Sequence, residues 1–214
     1  HEIKNPLGGI RGAAQLLARA LPDASLTEYT RIIIEEADRL RDLVDRMLGS
    51  HEPPVMQPVN IHEVLERVLS LIHAEYGESI TFQRDYDPSM PDVEGDRGQL
   101  LQALLNIVRN AIQALHENHT PDAGITLRTR VQRRFTIGKR QHRLVCRIDV
   151  LDNGPGIPAE MQDTIFFPMI SGRADGTGLG LAIAQSIMAQ HHGMIECESA
   201  PGNTRFSLYL PLDT

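Results

Sequence analysis

The sequence predicts an α+β protein in which a helical hairpin is followed by an α/β sandwich. Three observations support this fold: heptad-spaced apolar residues over positions 1–48, a stretch with glycine and prolines at 49–58, and alternating strand patterns between later helices. We therefore expect a helical unit over residues 1–50, a linker over 51–58 and a second unit over 59–214.

The helical unit contains two predicted helices, over residues 1–20 and about 26–48, with a break between them that includes Pro22. Each helix has a seam of residues at alternating four- and three-residue steps: Ile3, Leu7, Ile10, Ala14 and Leu17, then Thr30, Ile33, Ala37, Leu40, Val44 and Met47. A lone hairpin leaves part of these faces in water, whereas two hairpins can pair as a four-helix bundle. We therefore expect a homodimer.

The second unit alternates helical and strand patterns. We expect helices over 59–76, 96–117 and 178–191, and strands over 79–85, 125–135, 143–151, 194–199 and 205–210. The helices would cover one face of a mainly antiparallel sheet, which is an α/β sandwich. The segment 153–176 is too long for a simple connection, so we expect a mobile lid there.

The composition argues against several classes of function. A net charge of −7 disfavours nucleic-acid binding through bulk electrostatics. Cys146 and Cys197 form no disulfide or metal pattern, no apolar run reaches the roughly 20 residues of a membrane span, and no signal peptide is evident. We therefore expect a cytoplasmic protein. Because the chain starts at His1 without a methionine, we expect it to be the C-terminal part of a longer protein.

Two glycine clusters border the expected lid, and together they favour an ATP pocket. Asp152 continues the apolar face of the strand over 143–151, so its carboxylate needs a donor such as the amino group of adenine. Gly154 and Gly156 would let a flat base approach the backbone. The second cluster precedes a helix, whose free N–H groups and dipole favour phosphate; it consists of Gly176, Thr177, Gly178, Leu179 and Gly180.

Each cluster alone could be an ordinary glycine-rich turn. No Gly-Lys-Ser/Thr follows either cluster, so neither is a Walker loop, and no strand runs directly into Gly176, as a dinucleotide-binding fold would require.

Asn106 and Asn110 lie one helical turn apart at the edge of the expected pocket. Their amide oxygens are hard, neutral ligands that suit Mg²⁺, which takes its remaining ligands from water and nucleotide phosphates. A pair of polar residues on a solvated helix face is the alternative, and it would be preferred if the glycine clusters were absent. With those clusters present, we expect a metal role.

His1 and Asn5 share a helix face, and Glu2 adjoins His1. A neutral imidazole beside a carboxylate can attack a phosphorus atom while the carboxylate takes the proton. Asn5 could hold a water for hydrolysis of the phosphohistidine. A solvated or capping histidine is the ordinary alternative, and we assign it to the other eight histidines.

Four segments, in this order along almost the whole chain, resemble the sequence boxes of two-component sensor histidine kinases. Residues 1–7 (His-Glu-Ile-Lys-Asn-Pro-Leu) resemble the H box, and 106–111 (Asn-Ile-Val-Arg-Asn-Ala) resemble the N box. The clusters 152–156 and 176–180 are similar to the two glycine boxes, and 166–168 matches the F box loosely. Residues 8–17 and 167–173 are most similar to the branch of this family that controls nitrogen metabolism.

The resemblance implies a histidine kinase that also acts as a phosphatase, with ATP and Mg²⁺ as cofactors. His1 would be autophosphorylated with Glu2 as its base, and Asn5 would serve the phosphatase activity. Asn106 and Asn110 would hold Mg²⁺. The phosphoryl group would pass to an aspartate of the response regulator NtrC, and the PII signal protein would shift the balance towards phosphatase activity. An N-terminal PAS sensor domain would precede this chain.

Two positions depart from the family pattern. Lys4 replaces the commoner arginine of the H box, which is a small change. Gln113 stands where many of these kinases have a lysine that contacts phosphate, so we expect Arg173 on the lid to supply that charge.

The predicted hairpin over 125–147 is unusually basic. It contains Arg128, Arg130, Arg133, Arg134, Lys139, Arg140, Arg143 and Arg147. A solvated sheet face is the slightly preferred explanation, and a docking surface for an acidic partner is the alternative.

Two other functions compete with the kinase. A chaperone- or topoisomerase-type ATPase could have the same pocket, although such proteins lack a His-Glu hairpin upstream. A scaffold that binds ATP and PII without turnover is the second alternative, and the presence of His1, Asn110 and Asp152 argues against it.

Overall fold

The computed structural model describes residues 4–20, 26–35, 37, 54–77, 79–170 and 178–212. The chain divides into two compact units, residues 1–53 and 54–214. The division falls within the expected linker, and each unit is described by itself.

The first unit contains two helical segments, α1 (Lys4–Ala20) and α2 (residues 26–35). Small side chains are buried in this unit, namely those of Ala14, Thr30 and Ala37. The large apolar side chains are mostly exposed: Ile10, Leu16, Leu17, Leu26, Tyr29, Ile32 and Ile33. The expected break at 21–25 lies outside the described residues, and so does the part of the expected second helix beyond residue 37.

The second unit is built on a five-stranded sheet with the strand order β2-β4-β5-β7-β6. The strands are β2 (Thr81–Asp85), β4 (Gly124–Ile137), β5 (Arg140–Asp152), β6 (Met194–Ala200) and β7 (Asn203–Pro211). Strand β2 pairs with β4 in parallel, and the other pairs are antiparallel. The expected long hairpin is thus confirmed as β4–β5, with Ile125 opposite Asp152 at its base.

Helices contribute the other layer of this sandwich: α3 (Ile61–Tyr76), α4 (Arg97–Glu117), the short α5 (Ala159–Gln162) and α6 (Gly180–Gln190). The Asn60 side chain accepts the N–H groups of His62 and Glu63 and so begins α3. The apolar faces of α3, α4 and α6 form the core, with Leu65, Leu69, Leu104, Ile107, Ile112 and Met188 at most 1% exposed. Among the described residues, no helix combines the length and the apolar character that crossing a membrane requires.

The second unit begins earlier than its sequence suggests. Gln57 and Pro58, which were expected in the linker, belong to β1 (Gln57–Val59), which pairs antiparallel with β3 (Val93–Gly95). The proline is accommodated because this ladder has only two strands, so a missing N–H can face outward. The expected linker over 51–58 is therefore wrong at its C-terminal end.

Asp96 joins three parts of the second unit. Its Oδ1 accepts the N–H groups of Gly98 and Gln99 at the start of α4, and its Oδ2 accepts the Val55 N–H at 3.0 Å. The backbone N–H of Asp96 donates to Nε2 of the buried His191 at 2.9 Å, just beyond α6. Since Nε2 accepts, Nδ1 of His191 holds the proton and donates to the Ile187 carbonyl.

Candidate functional site

The side chain of Asp152 lies at the end of β5 and is 6% exposed. Its Oδ1 accepts the Gly154 N–H at 2.9 Å, and no other described residue donates to this carboxylate. Burial raises the pKa of Asp152, and the hydrogen bond from Gly154 opposes that effect only in part. The carboxylate therefore retains the capacity to accept a donor from a ligand, as the sequence predicts.

Thr204 is the neighbour of Asp152 on the adjacent strand and was not predicted from the sequence as a site residue. It stands directly opposite Asp152 in the β5–β7 ladder and is 4% exposed. Its hydroxyl lies 2.8 Å from that of Ser199, which also accepts the Ile157 N–H at 2.8 Å. The sequence does show that Thr204 follows a predicted glycine turn at 201–203. The predicted strand, however, began one residue later, at Arg205, so Thr204 was not placed on it.

Cys197 also borders the carboxylate. Burial, followed by the charges of Asp152 and Glu198, raises the pKa of its thiol to about 12. At neutral pH the side chain is thus a protonated, weakly polar group.

Close backbone packing explains the glycines of the first cluster. Gly156 has φ +85°, and a Cβ there would lie 2.9 Å from the Ala200 carbonyl carbon. The Gly202 N–H donates to the Gly154 carbonyl at 2.8 Å, so the loop is bound to the β6–β7 turn. The expected role of Gly154 and Gly156, admitting a base, is thus accompanied by a second role in holding the loop against the sheet.

Met169, within the segment 153–176 that was expected to be a lid, is bonded to the second glycine cluster. The Met169 N–H donates to the Gly178 carbonyl at 3.1 Å. Gly178 has φ +63°, and a Cβ there would lie 2.7 Å from the Ile170 carbonyl oxygen. Leu179 is buried beside it, and Gly180 begins α6. Three further residues that were predicted to bind ATP, Arg173, Gly176 and Thr177, lie outside the described residues.

The side chain of Asn106 contacts the start of α6. Its Nδ2 donates to the Gly180 carbonyl at 3.2 Å, which leaves the amide oxygen for a ligand. Asn110, one turn further along α4, is likewise half-buried. Within the described parts of the chain, no three His, Cys, Asp or Glu side chains are grouped as metal ligands. Two neutral amide oxygens fit Mg²⁺ that completes its coordination with water and phosphate oxygens.

Helix α4 connects the two ends of this pocket. A Cβ at Gly154 would lie 3.5 Å from Leu115 Cδ2, and one at Gly180 would lie 3.7 Å from Asn106 Cβ. Leu115 and Asn106 are nine residues apart on the helix, which is about 13 Å at the rise of an α-helix. That separation is comparable with the length of an extended nucleoside triphosphate.

The reactive residues expected in the first unit are only partly described. Asn5 lies in the first turn of α1, whereas His1 and Glu2 lie outside the described residues. Their proposed chemistry therefore stays a prediction from the sequence.

Two protein families match this chain. Residues 95–214 match the family described as histidine kinase-, DNA gyrase B- and HSP90-like ATPase. Residues 1–51 match the family described as His Kinase A (phospho-acceptor) domain.

Curated relatives match nearly the full chain. The sensory histidine kinase/phosphatase NtrB of Salmonella typhimurium is 57% identical over 213 residues, which are 99% of this chain and 60% of that protein. NtrB of Rhodobacter capsulatus is 44% identical over 220 residues, with the same two coverages. The chain therefore spans about 60% of the length of these relatives.

One solved structure matches along the whole of this chain. The histidine kinase ThkA, crystallised in complex with the response regulator protein TrrA, is 28% identical with a TM-score of 0.63, and the match covers 100% of this chain and 59% of that one.

Proposed function

This chain belongs to the sensor histidine kinases of two-component systems, of the NtrB type, and on that premise we propose that it uses ATP to phosphorylate His1 and passes the phosphoryl group to an aspartate of a response regulator. The observation that supports the proposal best is the position of α4. This helix lies close to the loop beside Asp152 at Leu115, near its C-terminal end, and contacts the start of α6 at Asn106, near its middle.

At the adenine end of the pocket, the ionised carboxylate of Asp152 accepts a hydrogen bond from the exocyclic amino group of adenine. Thr204 stands beside it as a second polar group, through the ladder pairing of β5 with β7. Gly154 and Gly156 keep the loop free of side chains, so the ring can lie against the backbone.

At the phosphate end, the second glycine cluster offers N–H groups at the start of α6. Gly178, Leu179 and Gly180 are the described members of this cluster, and Arg173, Gly176 and Thr177 are proposed from the family resemblance. Asn106 and Asn110 would hold Mg²⁺, which neutralises phosphate charge when it is bound.

The transfer step itself takes place on the first unit. The neutral imidazole of His1 attacks the terminal phosphorus of ATP, a nitrogen–phosphorus bond forms, and ADP leaves with the electrons of the broken oxygen–phosphorus bond. Glu2 accepts the imidazole proton. In the reverse role, Asn5 holds a water molecule for hydrolysis of the phosphorylated partner.

We assign partners by the same family relationship. The response regulator is NtrC-like, the PII signal protein selects between kinase and phosphatase activity, and the protein acts in the cytoplasm. A homodimer is supported by the exposed apolar side chains of the helical unit, such as Ile10, Leu17 and Ile33.

One labelling experiment tests the proposal. The chain is incubated with ATP labelled on the terminal phosphate and Mg²⁺, and the acid lability of bound label is measured. We expect acid-labile label that His1→Asn abolishes. His192→Asn is the matched control, because His192 is exposed and has φ +54°, which asparagine tolerates well.

The competing function predicts a different result. If ATP is hydrolysed while no label appears on His1, the protein is an ATPase of the chaperone or topoisomerase kind. ATP binding without hydrolysis or labelling would indicate a scaffold.

A further inference from the structure

Seven of the eight arginine and lysine residues of the β4–β5 hairpin fall into two groups with different surroundings. Between Gly124 and Ile148 the chain contains no aspartate or glutamate, although its net charge is −7. In the described residues, carboxylates reach this stretch from Asp85 on β2 and from Asp149, further along β5.

The first group is neutralised within the sheet. Arg128 Nε and Arg130 Nη2 each lie 2.7 Å from a carboxylate oxygen of Asp85 on β2. Arg147 Nε lies 2.8 Å from Oδ1 of the buried Asp149, which also accepts the Ser207 hydroxyl. These three arginines serve the internal charge balance of the sheet face.

The second group forms what we call the basic tip, residues 133–140, where the hairpin turns. Arg133, Arg134, Lys139 and Arg140 are all exposed. No carboxylate in the described part of the chain lies within ion-pair distance of any of these four side chains. The tip is thus a concentrated positive charge on an otherwise acidic molecule.

Aromatic packing holds the base of the tip against the sheet. The rings of Phe135 and Tyr209 stack with centroids 4.2 Å apart, and the Arg147 guanidinium lies 5.7 Å above the Tyr209 ring. The ladder between β5 and β7 starts only at Val145, so residues 133–144 extend past β7. Because the tip is packed at its base, its cations are presented in a fixed arrangement and lose less entropy on binding.

We propose that the basic tip is a docking surface for an acidic segment of a partner protein. From Arg133 to the Ile137–Arg140 pair, the cations extend over roughly 13 Å at the rise of a β-strand. An extended segment with several carboxylates matches that length and charge. Such a contact would accelerate association and depend strongly on salt.

The surroundings of the tip favour a protein over a nucleic acid. The chain has a net charge of −7, so a long phosphate backbone that ran beyond the four cations of the tip would meet a molecule of like charge, whereas a short acidic segment would not. Phe135, the one aromatic residue of the tip, is engaged with Tyr209 and is not available to stack on bases.

The experiment measures binding of a fluorescent peptide of alternating glutamate and glycine to the 214-residue chain, at about 0.05 M and about 0.15 M salt. Lys139→Glu with Arg140→Glu removes two cations of the tip. Arg67→Glu with Arg97→Glu is the matched control, because it changes the net charge equally at exposed sites of α3 and α4.

We expect the tip variant to weaken peptide binding about tenfold and the control to change it less than about twofold. Equal losses in the two variants, or no binding by the native chain, would overturn the proposal. Tighter binding of duplex DNA than of the peptide would overturn the choice of partner.

A third variant tests the fixed arrangement of the tip. Phe135→Ala keeps all four cations but removes the stack on Tyr209. We expect weaker peptide binding at unchanged net charge, whereas full affinity would contradict a preorganised surface.

Discussion

The two units of this chain bury their apolar residues to very different extents. In the sheet-containing unit, large side chains such as Leu65, Leu104 and Phe206 are at most 1% exposed. In the helical unit, Ile10, Leu17 and Ile33 are 50%, 52% and 44% exposed. The second unit therefore forms its core within one copy, and the large apolar side chains that it exposes among the described residues are near its start and in the loop after α5, namely Val55, Met56, Phe167, Met169 and Ile170. In the first unit the exposed apolar side chains lie along the helices and form a surface that another protein surface can cover.

The same contrast appears within one heptad seam. Ala14 is buried, while Ile10 and Leu17, one step before and after it, are half-exposed. Among the described residues of this seam, the small side chain is therefore buried and the larger ones remain exposed. A second hairpin of the same kind would cover them, which is the basis for the dimer we propose.

The largest expected effect tests whether the second unit is complete on its own. Phe206→Ala removes a ring that is 1% exposed and meets Phe166 edge-on. We expect the free energy of unfolding of this unit to fall by about 3–5 kcal/mol, measured by urea denaturation. The loss should be the same at every protein concentration; a concentration dependence would contradict a self-contained unit.

Ile33→Ser tests the opposite property in the first unit. If this side chain is covered in a dimer, we expect a loss of about 2 kcal/mol per chain and a shift towards monomer in sedimentation equilibrium. Glu28→Ser, at an exposed position of the same helix, is the control. An unchanged dimer fraction in Ile33→Ser would show that this face is not the contact.

Two glycines of the second unit have positive φ but differ in the space around them. Replacing each by alanine therefore distinguishes the cost of backbone strain from the cost of a steric clash. Gly77 has φ +67°, and a Cβ there would have no neighbouring atom within 4 Å. Gly156 has φ +85°, and a Cβ there would lie 2.9 Å from backbone atoms of Ala200 and Pro201. We expect Gly77→Ala to cost about 1 kcal/mol and Gly156→Ala about 2–3 kcal/mol, with ATP binding weakened only in the latter. Equal costs in urea denaturation would mean that the loop moves freely.

The smallest effect is a pH dependence confined to the second unit. Because burial raises the pKa of Asp152, the folded chain binds more protons than the unfolded chain between the ordinary and the raised pKa. The free energy of unfolding without nucleotide should therefore decrease as the pH rises through that interval.

ATP affinity should change in the opposite direction, because only the ionised carboxylate accepts the adenine amino group. We expect ATP binding to weaken as the pH falls through the raised pKa. Both trends should disappear in Asp152→Asn, measured by titration calorimetry and urea denaturation between about pH 4 and pH 7. Persistence of either trend would assign it to another group.

The sequence predicted the long elements of the fold well and the short ones poorly. Helices α3, α4 and α6 and strands β4 to β7 have enough residues for a period to be recognised. Strands β1 and β3 have three residues each, which is too few for an alternating pattern to be recognised. In β1, the presence of Pro58 also led to the prediction of a linker. Their pairing depends on a long-range ladder that local patterns do not encode.

The sequence allows candidate site residues to be proposed one at a time, but it does not contain the relationships that depend on pairing across the sheet. Asp152 and the glycines were identified from their positions next to a strand. The role of Thr204 follows from its register opposite Asp152, and the neutralisation of Arg128 and Arg130 follows from Asp85 on another strand. Sequence spacing alone contains neither relationship.

The bonds around Asp96 have a mechanical consequence. The Val55 N–H is held by the same carboxylate that begins α4, and the backbone of Asp96 is held by His191 after α6. Tension applied to the chain ahead of Val55 would therefore act first on the start of α4 and, through Asp96, on the end of α6, and next on the β1–β3 ladder, before it reached the strands of the main sheet. Helices α4 and α6 meet again where Asn106 donates to the Gly180 carbonyl, so the same load would act on the two helices that border the second glycine cluster.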